Sequence, residues 1–257
     1  MVGGSAQSAD RIVFVGHATV LIEMEGARLL TDPLLRGRVA HLRRQTAPVD
    51  TDLTAGADAV LLSHLHRDHL DLPSLRLLGR DTRLLAPTGA GEWLCRRGFT
   101  GVTEMGIGDS ENVGALTVTA VPARHDGRRR PGGPQAQALG YVVSGRRAVY
   151  FAGDTELFDE MSHLAADLDI ALLPVAGWGP RLGAGHMDPL QAARAACMLM
   201  PRIAIPVHWG TLRPALSSAR DRTRWLEDPP HLFAGHVARL APGIDVRILR
   251  PGGWLAI

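Results

Sequence analysis

The sequence predicts an α/β protein built as a four-layer αββα sandwich, in which two sheets face each other and helices cover their outer sides. Short, β-branched apolar segments bounded by Gly, Pro or Asp recur along the chain, which is typical of strands. The chain also repeats one plan, in residues 19–63 and again in 140–174: strand, tight turn, strand ending in a Gly, Thr or Asp corner, then another apolar strand. Two related halves predict packed sheets whose equivalent strand ends meet at one edge.

The individual elements follow from the same patterns. Strands are predicted at 11–15, 19–24, 27–31, 58–63, 116–121, 140–144, 147–153, 169–175, 202–207 and 245–249. Helices are predicted at 72–79, 156–166 and 188–200. The last of these begins with Asp188 as the N-cap, Pro189 at the first helical position and Gln191 closing a capping box.

Composition limits the domain organisation and the partners. The 257 residues, 46% of them apolar, show no composition shift or linker, so we expect one domain over 1–257. The net charge of +2 is too mild to predict a nucleic-acid partner. No signal-peptide pattern or apolar run of about eighteen residues is found, which favours a cytoplasmic protein without a membrane segment.

Two further features of the composition concern chemistry. The two cysteines, Cys95 and Cys197, are too few for a disulfide framework and are expected to be reduced. All 28 basic side chains are arginine, so Schiff-base and lysine general-base mechanisms are excluded.

The segment SHLHRDHLD, residues 63–71, places three imidazoles and two carboxylates directly after an apolar strand. A tight turn there can direct His64 and His66 at one point, and Asp68 and His69 at a neighbouring point. Two cations can thus receive separate ligands from one turn. Imidazole with carboxylate favours zinc, iron or manganese over calcium. The alternative, a solvated polar turn, does not account for so specific a spacing.

Further metal ligands are expected where other strands end. His125 follows LTVTAVPAR, Asp154 follows RAVYFAG, and His208 follows RIAIPV. Each residue alone has an equally good structural explanation as a polar strand terminus. Their shared position at strand ends favours convergence on one site.

HLHRDH, followed in order by VPARH, FAGDT and PVHWGT, resembles the metallo-β-lactamase fold superfamily over nearly the whole chain. GHATVLIE, LLTDPL, GHMDP and HWGT are most similar to the branch with ascorbate phosphate lactonases and N-acyl phosphatidylethanolamine phospholipase D. The resemblance implies two divalent metal ions, zinc first, with manganese or iron as alternatives. The implied ligands are His64, His66 and His125 for one ion, Asp68, His69 and His208 for the other, and Asp154 bridging both.

The sequence departs from two groups of this superfamily. Antibiotic-hydrolysing members carry a Cys among the ligands of the second metal, where this chain offers Asp154, which disfavours β-lactamase activity. Iron redox members usually show HxExDH, and the Glu is absent here, which disfavours an oxidoreductase.

Two metals about 3.5 to 4 Å apart would share a water and lower its pKa from 15.7 toward roughly 7. The resulting hydroxide would attack phosphorus or a carbonyl carbon, and Asp68 would accept the departing proton as a catalytic group. No GxSxG nucleophile motif is present, in keeping with a mechanism that needs no serine.

Several residues are expected to surround the metals or the substrate. Asp32 mirrors Asp154 in the repeat and is expected to hold a metal-binding histidine, the alternative being a turn-forming Asp before proline. His186, just before a capped helix, is expected to be catalytic and to hold an anion together with the helix N-terminus. The remaining expected neighbours are His17, Trp209, Thr211 and Arg128.

Two loops are candidates for the rim of the site. Arg128 lies in the Arg/Gly segment 126–134, which either closes over an anionic substrate or is a solvated loop. The second candidate is 34–48. Histidines without motif context are interpreted as ordinary surface or packing residues: His41, His163, His231 and His236.

The sequence therefore predicts a metal-dependent hydrolase that acts on a phosphoester or a lactone of a small anionic substrate. A nuclease or a phospholipase D-like phosphodiesterase is the alternative within the same fold, although neither a basic surface nor a membrane-docking face stands out. A binding module that has lost catalysis is the alternative of another class. The natural substrate, the native metal and the oligomeric state, including a homo-oligomer, are left open.

Overall fold

The computed structural model describes residues 9–129, 133–164, 166–179, 181–216 and 225–257. The strands within these ranges are β1 (Arg11–Gly16), β2 (Thr19–Met24), β3 (Ala27–Thr31), β4 (Arg38–Val39), β5 (Leu42–Arg44), β6 (Ala59–Leu61), β7 (Leu84–Pro87), β8 (Val102–Met105), β9 (Ser110–Val113), β10 (Leu116–Pro122), β11 (Leu139–Ser144), β12 (Ala148–Phe151), β13 (Ile170–Pro174), β14 (Ile203–Val207), β15 (Leu212–Pro214), β16 (Asp245–Val246) and β17 (Trp254–Ala256). The helices are α1 (Thr51–Thr54), α2 (Leu72–Leu78), α3 (Gly91–Cys95), α4 (Pro189–Leu199) and α5 (Asp228–Leu240), with a 3₁₀ helix at Asp159–His163.

Two seven-stranded sheets carry the predicted internal repeat. The first has the order β17-β1-β2-β3-β6-β7-β8 and the second the order β16-β14-β13-β12-β11-β10-β9. In the first, β1 to β3 form an antiparallel meander and β6 to β8 continue parallel to β3. In the second, β10 to β12 form the meander and β13, β14 and β16 continue parallel to β12. The predicted repeat of two halves is confirmed.

Side-chain alternation along the strands separates two layers of core. On β1, Ile12 and Phe14 join the cluster that fills the space between the sheets, whereas Val13 and Val15 face the other side with Leu75 of α2. The first cluster continues through the second sheet to α4 and α5. Burying each such aliphatic side chain contributes about 1.5 to 3 kcal/mol. The predicted four-layer sandwich is confirmed.

Helix caps follow the sequence closely. The Asp71 side chain accepts a hydrogen bond from the Ser74 amide at the start of α2. At α4, Asp188 and Gln191 form the predicted capping box. In the described part of the chain, no helix has the length and apolar character needed to cross a bilayer.

Two predicted elements are wrong in extent. The helix expected at 156–166 is a 3₁₀ helix at Asp159–His163, because Phe158 and Met161 are buried three residues apart, which matches the 3₁₀ repeat; Ala165 lies outside the described residues. The strand expected at 245–249 pairs with β14 only at Asp245–Val246.

The candidate rim 34–48 forms a structure that the sequence did not predict. β4 and β5 make a hairpin, and β15 pairs with β5 to complete a small third sheet. Leu34, Val39, Leu42 and Leu212 form its apolar core. The hairpin is thereby fixed beside the edge where the strands of the main sheets end.

Candidate metal centre

The candidate metal-binding and catalytic residues lie close together where strands of both sheets end. His17 follows β1, Asp32 follows β3 and the turn 64–69 follows β6 in the first sheet. Asp154 follows β12 and His208 follows β14 in the second. Because each half brings its strand ends to the same edge, the site is shared between the two sheets.

Three of these residues have left-handed backbone conformations. The φ angles are 57° at His17, 33° at Asp32 and 64° at His208, a region that non-glycine residues rarely occupy. Hydrogen bonds hold them there: the His17 amide donates to Thr211 Oγ1 at 2.7 Å, and the His208 amide donates to the His17 carbonyl at 2.8 Å. Such local strain persists where surrounding structure fixes it, and it is common at functional sites.

His64, His66 and His125 bring three ring nitrogens to within 4.8 Å of one another. His66 Nδ1 lies 3.0 Å from His125 Nε2, and the His64 ring stacks edge-on against both. His64 Nε2 is buried without a hydrogen-bond partner in the described structure. Three imidazole nitrogens around one point are the donor set of a tetrahedral metal with an open fourth position.

A second group lies beside the first and contains His17, Asp68, His69 and His208. His69 Nε2 and His208 Nε2 lie 3.2 Å apart. Asp68 Oδ2 lies 3.0 Å from His17 Nε2 and 3.8 Å from His69 Nε2. The structure thus adds His17 to the three residues that were expected to share the second metal.

Asp154 lies between the two groups and is buried. Its Oδ2 is 3.1 Å from His69 Nε2 and 3.9 Å from His64 Nε2, and its Oδ1 is 3.2 Å from His208 Nε2. Oδ1 nevertheless has no partner of hydrogen-bond geometry. Buried acceptors that face one another without protons between them are costly unless a cation satisfies them, so the donor set fits divalent metal ions.

Side chains behind the cluster fix two of the rings. Asp32 Oδ2 lies 2.7 Å from His69 Nδ1, and Asp32 Oδ1 accepts the Ser63 amide at 2.7 Å. Ser63 Oγ in turn lies 2.9 Å from His64 Nδ1. The predicted carboxylate partner for a histidine of the cluster is therefore present, and it sets the ring orientation. Ser63 was not recognised from the sequence, although it opens the motif.

Backbone carbonyls fix three further rings. His125 Nδ1 lies 2.8 Å from the Gly185 carbonyl, and His208 Nδ1 lies 2.7 Å from the Ala176 carbonyl. His186 Nδ1 is 3.1 Å from the Ala184 carbonyl. Each ring keeps its Nε2 directed at the cluster, because the carbonyl accepts the proton of Nδ1.

Burial and mutual charge set the protonation of the cluster. Burial lowers the pKa of His208 to about 3 and, together with His69, holds the pKa of His64 well below its ordinary value. Burial also acts to lower the pKa of His69, but Asp154 and Asp32 outweigh it and the pKa stands well above 6.5. For Asp154 burial acts to raise the pKa, and His208 and His69 outweigh it, so the carboxylate is ionised.

A cavity of about 280 Å³ opens over the cluster. Asp68, Asp154 and His186 reach it from below, and Val39, Ala40, His41, Leu42 and Trp178 form its wall. The His41 ring meets Trp178 edge-on at 4.9 Å. His41 is exposed and packs on Trp178, in keeping with the expected surface or packing role, and it also lines the cavity. No motif marks it, whereas Trp178 sits between glycines directly after a strand, a signal that was available.

His186 faces Asp154, with Nε2 3.3 Å from Oδ2. Its predicted partner, the N-terminus of α4, is occupied by the Asp188 carboxylate, so that helix end does not favour an anion.

Three other expected neighbours have different surroundings. Trp209 donates to the Pro206 carbonyl and stacks on Phe14 in the core. Thr211 supports the His17 backbone, and Arg128 donates to Gln135. None of the three lines the cavity among the described residues.

A family model described as a beta-lactamase superfamily domain matches residues 27–209. The chain belongs to this superfamily. The match covers the strands and loops that carry every residue of the cluster except His17, which precedes the matched range. The predicted superfamily and fold are therefore confirmed.

Individual relatives agree with this membership. A metal-dependent hydrolase of Methanopyrus kandleri is 33% identical over 94% of this chain and 97% of its own. An N-acyl-phosphatidylethanolamine-hydrolyzing phospholipase D of Caenorhabditis elegans is 28% identical over 77% of this chain, which spans 63% of that relative. Igni18, a metallo hydrolase from Ignicoccus hospitalis, has the same fold, with a TM-score of 0.74, 24% identity, and coverage of 96% of this chain and 98% of its own. At the level of a metal-dependent hydrolase of this superfamily, the predicted enzyme class is confirmed.

Proposed function

We propose that the protein is a dinuclear metal-dependent phosphodiesterase that acts on a small anionic substrate. The observation that carries the proposal is the buried cluster of imidazole nitrogens and carboxylate oxygens at the floor of a cavity, in which His64 Nε2 and Asp154 Oδ1 have no hydrogen-bond partner in the described structure. His64, His66 and His125 would hold one ion, Asp68, His69 and His208 the other, and Asp154 would bridge them. His17, 3.0 Å from Asp68, would orient that carboxylate.

Divalent ions held there would supply an activated water and polarise the electrophile. The chain's own groups do the rest. Asp68 reaches the cavity and is positioned to accept a proton, since its carboxylate is ionised: burial acts to raise its pKa, and the hydrogen bond from His17 outweighs this effect. His186 Nε2 faces the same cavity and is positioned to donate to a substrate oxygen. Trp178 and Leu42 form one side of the cavity.

Two features favour a phosphodiester over a lactone as substrate, and a third disfavours a nuclease. The Caenorhabditis elegans relative is named for hydrolysis of a phosphodiester-containing lipid. Arg67, between two residues of the cluster, lines the cavity and offers a guanidinium to a phosphoryl oxygen. The cavity of about 280 Å³ suits a small group rather than an extended polymer, which disfavours a nuclease.

The test is metal analysis of the purified protein together with hydrolysis of bis(p-nitrophenyl) phosphate and a panel of lactones. We expect close to two equivalents of zinc or manganese per chain and turnover of the phosphodiester, both lost in His66→Ala. His163→Ala removes an exposed histidine far from the motif and serves as the matched control. Preferential hydrolysis of lactones would show that the substrate is a lactone and not a phosphodiester.

The proposal competes with a binding module that has the same fold without catalysis. Protein that takes up two metal ions and hydrolyses neither substrate class would favour that alternative. Failure of the purified protein to bind metal on reconstitution would contradict the proposal of a metal centre.

A further inference from the structure

A second cavity, of about 390 Å³, lies beside the one over the cluster. Its wall is formed by the start of α2, by α3 and by the hairpin β4–β5. Five arginines line it: Arg36, Arg67, Arg76, Arg97 and Arg129. We call it the arginine cavity.

The arginine cavity is strongly cationic. Among the described residues, Asp71 is the one carboxylate in its wall, and it is engaged by Arg36 through two bonds of 2.8 Å and by the Ser74 amide and hydroxyl. Arg67 and Arg76 are both exposed, and within the described ranges neither has an ion pair or hydrogen bond. One carboxylate therefore faces five guanidinium groups, and the positive charges of Arg67 and Arg76 are available to a ligand.

Two of the guanidinium groups are held in place on an aromatic ring. Arg97 lies over the Trp93 ring at 3.8 Å and donates to the Trp93 carbonyl at 2.8 Å. Arg129 lies 4.7 Å from the same ring and donates to the carbonyls of Leu65 and Leu70. Because these side chains are already ordered, binding an anion there costs less conformational entropy than ordering free arginines.

The arginine cavity and the cavity over the cluster share one wall. Val39, Ala40 and Arg67 line both. Arg67 also lies in the turn 64–69, directly between His66 and Asp68. A molecule with its reacting group over the cluster can therefore extend past Arg67 into the arginine cavity without leaving the surface.

We propose that the substrate carries a second anionic group, a phosphate separate from the scissile phosphodiester, and that the arginine cavity binds it. This inference rests on the proposed function. Phosphate fits because guanidinium groups pair with it bidentately and a dianion matches more than one arginine. Arg76 would act as the specificity-determining residue, since it lines only the arginine cavity and has no ion pair or hydrogen bond within the described ranges.

The test uses two probes that differ by one phosphate. Thymidine 5′-(p-nitrophenyl phosphate) carries the scissile phosphodiester alone, and its 3′-phosphorylated form adds the distal dianion. With the metal-loaded wild type we expect kcat/KM to be about tenfold higher for the 3′-phosphorylated probe, the value of one charge-assisted contact. We expect most of the difference between the two probes to lie in KM. This difference should decrease as the salt concentration is raised.

Arg76→Gln is expected to reduce the ratio between the two probes to threefold or less. Arg96→Gln is the matched control, because Arg96 is exposed, pairs with Glu92 and lies outside the arginine cavity while changing the net charge equally. An unchanged ratio in Arg76→Gln, or equal turnover of both probes by the wild type, would overturn the inference while leaving the phosphodiesterase intact.

A binding measurement separates failure of this inference from failure of the proposed function. If neither probe is hydrolysed, titration calorimetry with pyrophosphate still compares wild type with Arg76→Gln. Weaker binding in the variant, with Arg96→Gln unchanged, would support an anion site in a protein that is not a phosphodiesterase. Equal affinity in all three proteins would overturn the anion site as well.

Discussion

The two halves of the sandwich contribute to the candidate site in different ways. The first half supplies four residues from one turn, 64–69, whose shape is fixed locally by bonds from the His69 and Leu70 amides to the His66 carbonyl. The second half supplies His125, Asp154 and His208 from three strand ends, 29 and 54 residues apart along the chain. One half thus presents a motif, whereas the other depends on sheet register.

A second contrast lies in the two aspartates that close equivalent strands. Asp32 follows β3 and Asp154 follows β12, at matching positions of the repeat. Asp154 faces the ring nitrogens of the cluster, whereas Asp32 stands behind His69 and Ser63. Related backbone positions have therefore acquired different roles, one inside the site and one supporting it.

The largest expected effect comes from Asp154→Asn. This change removes the negative charge that lies between both groups of ligands. We therefore expect loss of bound metal and a decrease in phosphodiester hydrolysis of more than roughly 100-fold, the upper value for mutation of a residue that only supports a ligand. Turnover and metal content are measured together. Asp126→Asn, an exposed carboxylate beside His125, is the control. Full activity in Asp154→Asn would remove Asp154 from the site.

Asp32→Asn is expected to have a smaller effect. The amide keeps the size of the carboxylate but weakens its hold on His69 Nδ1, and outer residues of this kind typically change metal affinity or activity by about 10- to 100-fold. Competition with a chelator measures the affinity. Asp58→Asn changes an exposed aspartate that accepts the Arg28 amide and should leave the affinity unchanged. An effect equal to that of Asp154→Asn would contradict the difference between the two positions.

Gly185→Ala tests whether the backbone around Gly185 fixes the position of His125 in the second half. A Cβ there would lie 2.7 Å from His125 Nδ1, and φ at this residue is +77°. We expect displacement of His125 and a loss of kcat/KM of about tenfold, or ~1.4 kcal/mol in the barrier. Gly183→Ala is the matched control, since its Cβ would meet His186 at an ordinary 3.9 Å. Identical kinetics for the two variants would show that the His125 anchor is unimportant.

The smallest expected effect is the pH dependence of stability in metal-free protein. Burial lowers the pKa of His208 to about 3, so below pH 6.5 the unfolded chain binds a proton that the folded chain does not. The free energy of unfolding should therefore decrease as the pH is lowered below 6.5, by roughly 1 kcal/mol per pH unit for such a group. His17, His64, His66 and His125 have lowered pKa values and act in the same direction, whereas His69 and His186 oppose them.

Thermal unfolding after chelation, compared at pH 7 and pH 5, measures this dependence. His208→Asn should show a shallower change than the wild type, because its unfolded chain has no histidine to protonate at this position. A melting temperature that does not change between the two pH values would contradict it.

The sequence was most informative where structure is local. The turn 64–69, the caps of α2 and α4 and nine of the ten predicted strands lie within short windows, so their residue types nearly determine them. The positions of His125, Asp154 and His208 at strand ends could also be predicted, because parallel strands of one sheet end at one edge.

Features that depend on distant packing could not be predicted in the same way. The hairpin β4–β5 is stabilised by β15, more than 160 residues later in the chain, and this pairing brings His41 to the cavity. The arginine cavity likewise joins residues from four segments that share no motif. Strand 245–249 was overestimated because its apolar pattern does not reveal that only two residues find a partner.

The carbonyl groups that hold His125, His186 and His208 have one more consequence. These acceptors belong to the main chain of 176–185, so replacing the side chain of Ala176 or Ala184 leaves the bond to the ring in place. Side-chain replacements at these two positions should therefore have little effect on the rings, in contrast to Gly185→Ala, whose Cβ would meet His125. Changes in loop length, or a proline that redirects the chain, are the kinds of mutation to which this part of the protein is sensitive.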